Sequence, residues 1–471
     1  MTTIQDIITD GIHAEKDEAH LLAEKARRHL WLHFSRMGRY SQENEIPVIV
    51  RGEGSWVWDS RGKRYFDGIS SLFTSQLGHG RKELAEAAAK QSEELAYFPL
   101  WTYAHPNAIN LAAELAQLAP GDLNRVFFTS GGAESVESAW KLARAYHRIN
   151  GDQYKYKAIT RNIAYHGTTM GALALTSVPD YRTPFEPMAL GAVKVPNTNF
   201  YRAREHGDDA VAFGRWAADE IERAIEREGA DTVAAIFLEP VQNAGGCFPP
   251  PPGYLERVRE IATRHNVLLV FDETICAFGR LGDWFGANKF NVTPDIITCA
   301  KGITSAYAPL GAMIASDRLI APFLEGNNSF LHGFTFAGNP VSTAVALKNL
   351  EIFKDENVLG HVNELSPKFR SALEDLYELP IVGNVRGEGF FFGIELVKNR
   401  ETKESFTAEE SDRLLRGYLS GALFEEGLIC RSDDRGDPVV QLAPPLTSTE
   451  DELMWAVGTV RKILSGALEQ I

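Results

Sequence analysis

Three short apolar runs in this chain end in residues that can do chemistry. The run "RVFFT" (125 to 129) opens into "SGGAE" (130 to 134), where Gly131 and Gly132 precede a stretch with helical spacing in Ala139, Leu142, Ala143 and Tyr146. The first N–H groups of a helix have no partner within it and lie at the positive end of its dipole, so this turn can cradle an anion. The run "VLLVFDE" (267 to 273) ends in Asp272 and Glu273. A carboxylate at the end of a buried strand needs a partner, because burying it unpaired is costly. One that stays ionised can sit beside a cationic ring nitrogen and keep it protonated. The run "IITCA" (296 to 300) is followed at once by Lys301 and Gly302. A lysine desolvated at a strand end becomes a nucleophile that forms imines with carbonyl compounds, and Gly302 is expected to leave room for a ligand beside it.

Each feature also has an ordinary reading: a tight turn, a helix cap or salt bridge, a solvated loop lysine. Their coincidence on one rim gives them weight, because ligands of open α/β sheets bind beyond the carboxyl ends of the strands. An anion cradle, a carboxylate and an amine are together the set that holds pyridoxal phosphate: phosphate on the helix N-terminus, ring nitrogen on Asp272, aldehyde on Lys301.

The elements that must position these groups are legible in the hydrophobic pattern. Across residues 76–342, apolar runs at 125–129, 157–160, 232–241, 267–273, 295–300 and 311–316 alternate with helix-length segments such as 253–265. This pattern predicts a large α/β domain whose mainly parallel central sheet is covered on both faces. Residues 1–75 read as a helix over 17–35 and a β-ribbon at 54–68, and are assigned to a smaller unit. Residues 343–471 complete that smaller α+β domain with a long helix, a ribbon at 383–397, a helix near 408–426 and a last one near 449–468. At 471 residues the chain exceeds the roughly 250 to 300 at which one core stops growing, which agrees with two domains.

Composition narrows the class of function. A net charge of −15 without a long run of one sign disfavours nucleic acid and anionic membranes as partners. The cysteines Cys247, Cys276, Cys299 and Cys430 form no CxxC pair, so neither a zinc site nor a disulfide framework is expected, and no metal is assigned. The N-terminal "MTTIQDIITDGIHAEKDEAH" lacks a secretory pattern, and no window approaches the ~20 apolar residues of a membrane span, so the expected location is cytoplasmic.

Ordered motifs over nearly the whole chain carry a resemblance: "GEGSWVWDSRGKRYFDG", "AYHGTTMGALALT", "LEPVQNAGGCFPPPPGYL", "VFDETICAFGRLGDWFG", "CAKGITSAYAPLGAMIAS", "HGFTFAGNPVSTAVAL" and "LICRSDDRGDPVVQLAPPL". In these the chain resembles the class III, or omega, aminotransferases, pyridoxal-phosphate enzymes of the aspartate-aminotransferase fold (fold type I). The resemblance implies that Lys301 carries the cofactor and that Asp272 partners its ring nitrogen. It implies that Tyr165 stacks on the ring, that His166 and Gly167 shape that turn, and that Ser130, Gly131, Gly132 and Ala133 hold the phosphate. Glu239 and Thr274 are placed beside the cofactor. It also implies a homodimer, possibly a tetramer, in which Thr335 reaches the phosphate of the partner's cofactor.

Two departures from the family pattern matter. The phosphate turn usually reads SGSE, whereas "SGGAE" lacks hydroxyls at 131 and 133, leaving backbone N–H groups and Ser130 to do more of the binding. Relatives acting on ornithine or 4-aminobutyrate pair the Glu of the "EP" motif with an arginine just before "APPL"; here Glu239 is present but Gln441 stands there. Instead Arg431 matches the mobile arginine of amine:pyruvate aminotransferases, which pairs with a carboxylate when one is bound. The acidic "RSDDRGD" loop is expected to hold Arg431 otherwise, and Phe73 and Trp101 to line the apolar side of the pocket. The reading is therefore a transaminase moving the amino group of a primary amine or omega-amino acid to pyruvate by a ping-pong mechanism. The rivals are an aminomutase or decarboxylating aminotransferase of the same fold. A nucleotide-binding dehydrogenase, prompted by "GEGFFFG" (387 to 393), carries little weight because its third glycine falls one residue late.

Overall fold

The structure, a computed structural model, describes residues 18–41, 44–188, 191–433 and 435–471. Residues 1–17, read above as lacking a secretory signal, and Asp434 of the acidic loop lie outside the described residues.

Aromatic and β-branched residues around a "DSRGK" turn form an antiparallel ribbon of β1 (Ile49–Glu53), β2 (Trp56–Asp59) and β3 (Arg64–Asp67). The central sheet is built from β4 (Leu123–Thr129), β5 (Lys157–Arg161), β6 (Ala192–Val195), β7 (Val233–Leu238), β8 (Leu268–Asp272), β9 (Ile296–Cys299) and β10 (Gly311–Ser316). Their spatial order is β4-β10-β9-β8-β7-β5-β6. All neighbours are parallel except β10, which runs antiparallel to both β4 and β9. Every residue of β7, β8 and β9 is buried, the signature of strands covered on both faces. The helix Tyr254–Arg264 covers one face by burying Tyr254, Leu255, Val258, Ile261 and Ala262, a single stripe at helical spacing.

A second antiparallel sheet comprises β11 (Val382–Glu388), β12 (Phe391–Leu396), β14 (Arg431–Asp433) and β15 (Val439–Leu442), in the order β11-β12-β15-β14. The short strand β13 (Leu428–Ile429) leaves that region to pair in parallel with β3, tying the C-terminal segment to the N-terminal ribbon.

The expected strands and helices of the central region appear within a few residues of their predicted ends. Several others differ, among them β1, β13, β14 and β15, which the hydrophobic pattern does not place. The strand β6, "AVKV", was not anticipated because Lys194 interrupts it; its amine turns inward to the carbonyls of Ala174 and Leu175 at 2.6 and 3.0 Å. The single long helix expected past 341 is two, Pro340–Asp355 and Val358–Glu374, separated by Asn357 in the left-handed region (φ 49°). The helix near 408–426 widens to a π-helical turn over Arg413–Leu419. The N-terminal helix stops at residue 29, not 35, and Phe34 beyond it is left-handed (φ 54°).

Candidate active site

The carboxyl ends of β4, β8 and β9 converge on one rim. Asp272, the last residue of β8, lies in register with Thr298 of β9. The Ser135 hydroxyl, in the first turn after β4, donates to the Cys299 carbonyl at 3.3 Å. The three predicted strand ends are thus neighbours in space.

Lys301 leaves β9 in a one-turn 3-10 segment with a left-handed backbone (φ 50°), a conformation costly for a side chain of this size. Asn349, fully buried on the helix Pro340–Asp355, holds that turn in place. Its amide donates to the carbonyls of Gly302 and Ile303 at 2.9 and 3.2 Å, and its oxygen accepts the Ser305 hydroxyl at 2.6 Å. The expectation for Gly302 is corrected here: a Cβ at that position would lie 2.4 Å from the Gln76 amide, so the glycine makes room for Gln76. Burial pushes the Lys301 amine down to about 8; Asp272 opposes the shift, while Arg431 and Arg435 reinforce it. The lysine is therefore available in part as the free base near neutral pH. Its Nζ stands 5.3 Å from the Phe73 ring centroid.

Asp272 has its partner in His166. The two are almost wholly enclosed, and His166 Nδ1 lies 2.8 Å from Asp272 Oδ2 while Nε2 lies 3.0 Å from the Thr160 hydroxyl. The other carboxylate oxygen accepts the Thr274 hydroxyl at 2.6 Å, the Thr274 N–H at 3.2 Å and the Thr298 hydroxyl at 3.2 Å. Burial alone would raise the Asp272 carboxyl, but His166 and Thr274 together bring it below its ordinary value, so it is ionised. The next residue, Glu273, is a cap: it accepts the N–H groups of Gly286 and Ala287.

The "SGGAE" turn forms the N-terminus of the helix Gly132–Ile149, which has no side-chain cap. Gly132 packs against Thr274 so closely that a Cβ would fall 2.8 Å from its methyl, and a Cβ at Gly167 (φ 117°) would fall 2.6 Å from that of Ala133. These contacts fix the turn beneath Asp272. The Ser130 N–H is already given to Glu134 at 2.7 Å, so only its hydroxyl is open to a ligand. An uncapped helix N-terminus, an ionised carboxylate and an amine brought toward the free base by burial, all on one rim, fit pyridoxal phosphate. Tyr165 is half-buried with its ring edge-on to Tyr181, centroids 6.1 Å apart.

Glu239 is buried beyond β7. Its Oε2 accepts the Asn243 N–H at 3.0 Å, and the Gln441 amide donates to the Asn243 carbonyl at 2.9 Å, so the two side chains are joined through one residue. Arg431 opens β14, facing Gln441 in register. Among the described residues of the loop none latches it: the Asp433 carboxylate accepts Arg435, not Arg431, through Nε at 2.7 Å and through its second nitrogen.

Phe73 is buried in a strained segment, with Ser70, Ser71 and Phe73 all left-handed. The enclosed Arg280 anchors it, donating to the Ser70 hydroxyl at 3.0 Å and the Pro444 carbonyl at 2.6 Å. Trp101 and Thr335 are not brought to Lys301 within this chain. Trp101 is 75% exposed, and Thr335, whose carbonyl accepts the Tyr97 hydroxyl at 2.8 Å, lies on the same exposed aromatic surface as Phe336. Reading the sequence missed Asn349, Gln76, Thr160 and Arg435. Only Arg435 had a visible signal, as the second arginine of "RSDDR".

The family model described as "Aminotransferase class-III" matches residues 39–464, and the chain belongs to that family of pyridoxal-phosphate enzymes with fold type I. It is 60% identical to a probable aminotransferase of Mycobacterium tuberculosis, over 94% of each chain. It is 35% identical to the putrescine–pyruvate aminotransferase of Pseudomonas aeruginosa, over 90% of this chain and 92% of that one. Among solved structures, an (S)-enantioselective omega-transaminase from Thermomicrobium roseum superposes with a TM-score of 0.90 at 40% identity, covering 96% of this chain and 99% of that one.

Proposed function

We propose that this aminotransferase moves the amino group of a primary amine or omega-amino acid to pyruvate, giving an aldehyde or ketone and alanine in a ping-pong cycle. The observation that carries the acceptor half is Arg431. It is a half-buried guanidinium whose charge acts on Lys301, with no hydrogen-bond or ion-pair partner among the described residues, and burial followed by the charge of Arg435 lowers its pKa. A partly desolvated cation without an anion is unfavourable, and a keto-acid carboxylate relieves it through two parallel hydrogen bonds. The name of the Pseudomonas relative supports the same acceptor.

Bound pyridoxal phosphate supplies the aldehyde that exchanges amino groups and the ring that takes up electrons. Lys301 holds it and then shuttles the proton at its Nζ to and from the substrate carbon. Asp272, kept ionised by His166 and Thr274, holds a proton on the ring nitrogen. The N–H groups of Gly132 and Ala133, with the Ser130 hydroxyl, would bind the phosphate, and Tyr165 would pack against the ring. Glu239 stands near this group without touching the reacting atoms, and Phe73 closes the side next to Lys301. Trp101 and Thr335 act from a partner subunit: their exposed patch, with Tyr97, Phe98, Tyr103 and Phe336, is a dimer surface that brings them to the other site. The enzyme works in the cytoplasm; among the described residues no helix is long and apolar enough to cross a membrane.

Steady-state kinetics of Arg431→Ala test the acceptor assignment. The KM for pyruvate rises at least tenfold more than that for an uncharged amine donor, on the order of one charge-assisted hydrogen bond. Equal effects on both substrates would contradict it.

A further inference from the structure

Two arginines flank the proposed acceptor site, and among the described residues only the Arg435 side chain has a hydrogen-bond or ion-pair partner. Arg431 and Asp433 are the first and third residues of β14, so their side chains leave the strand on the same face. Asp433 is thus the acid next to Arg431 along that face. It is already occupied: Arg435 turns back and donates its N–H at 3.0 Å and its Nε at 2.7 Å to Oδ1, and its terminal nitrogen to Oδ2. The pair is closed from solvent, with side-chain exposures of 4% for Arg435 and 1% for Asp433. Both guanidiniums act on one neighbourhood, since Tyr165, Tyr181 and Lys301 each feel the charge of Arg431 and of Arg435.

We propose that Asp433 sets acceptor specificity: by holding Arg435 in a closed ion pair it leaves Arg431 as the one guanidinium open to substrate, and so limits the acceptor to keto acids with a single carboxylate. Arg435 has the complementary task. By filling both oxygens of Asp433 it keeps that acid from capturing Arg431. The inference rests on the reading of Arg431 as the carboxylate-binding residue. It makes Asp433 and Arg435 positioning residues, each acting through the charge of the other. Without Asp433 the site would present two cations a few residues apart, a pair suited to a dicarboxylate such as 2-oxoglutarate. Without Arg435 the freed Asp433 would neutralise Arg431.

The test is kcat/KM for pyruvate and for 2-oxoglutarate, with one amine donor, in the holoenzyme and in D433N, R435Q and the double variant, each checked for bound cofactor by its visible absorbance. In D433N the preference for 2-oxoglutarate over pyruvate rises roughly tenfold or more, as for a hydrogen bond gained to a charged group. In R435Q the KM for pyruvate rises while kcat changes less, and the double variant loses the gain seen in D433N. A merely structural pair would lower turnover with both acceptors in step and leave their ratio unchanged, and that result overturns the proposal. If D433N does not fold, R435Q decides, because an unchanged KM for pyruvate there is equally fatal. Arg431→Ala separates the two claims: an unshifted pyruvate KM refutes the reading of Arg431, whereas a raised KM with no effect in D433N and R435Q refutes this inference alone.

Discussion

At the scale of single residues, the site depends on a lysine that burial brings toward the free base and on a buried carboxylate that its neighbours keep ionised. Burial brings Lys301 from 10.5 down to about 8, so the folded protein binds fewer protons than the unfolded chain between those values. The sign follows: the penalty of the buried ammonium is full below pH 8 and disappears as pH rises toward 10.5. Thermal unfolding of the cofactor-free protein checks it, with wild type gaining stability relative to Lys301→Met across that window. The rate at which cofactor-free enzyme takes up pyridoxal phosphate likewise rises through pH 8 as the free amine appears. Asp272 carries the opposite charge state, and Asp272→Asn, which preserves shape but removes the charge, lowers kcat by roughly 10²–10³-fold while the protein still folds, measured by turnover and circular dichroism. Lys301 and Asp272 were legible because each ends an apolar run. His166 was named only through the family motif, and its contacts with Asp272 and Thr160 were not legible, since nothing in the spacing of residues 160, 166 and 272 reveals that they meet.

At the scale of elements, the strand ends gather the chemistry and remote helices hold it still. Asn349 is the clearest case: it lies 48 positions beyond Lys301 and fastens the carbonyls that follow the lysine. Asn349→Ala removes the side-chain donor that those two buried carbonyls share, at a cost of about 1–3 kcal/mol, and a lowered Tm together with weaker cofactor retention checks it. Gly132→Ala pushes a methyl into Thr274, so it disturbs both the anion cradle and the support of Asp272; the dissociation constant for pyridoxal phosphate rises, by fluorescence titration. The central strands could be read because burial on both faces leaves continuous apolar runs. The strand β6 could not, because a lysine that spends its charge on helix carbonyls looks like a surface residue. The break at Asn357 was hidden for a related reason, as both flanking helices keep their apolar stripes through it.

At the scale of the whole molecule, the single chain gives Lys301, Asp272, the phosphate turn, Phe73 and Arg431 one neighbourhood, and leaves Trp101 and Thr335 facing outward. The proposed second copy of the chain would cover this exposed aromatic patch and bring the two residues to the other site. Trp101→Asp places a charge at its centre, so sedimentation shifts toward monomer and transamination falls with it. The family and fold were legible as ordered motifs, whereas the pairing of Asp433 with Arg435 depends on a loop turning back on itself, which no linear pattern encodes. In the proposed cycle one pocket carries an amino group from an amine to pyruvate. Incubation of the purified holoenzyme with a nitrogen-15-labelled primary amine and pyruvate, read by mass spectrometry, tests this. Labelled alanine formed in equal amount to the donor's carbonyl product is the result expected; a donor that is isomerised or decarboxylated with no labelled alanine would contradict it.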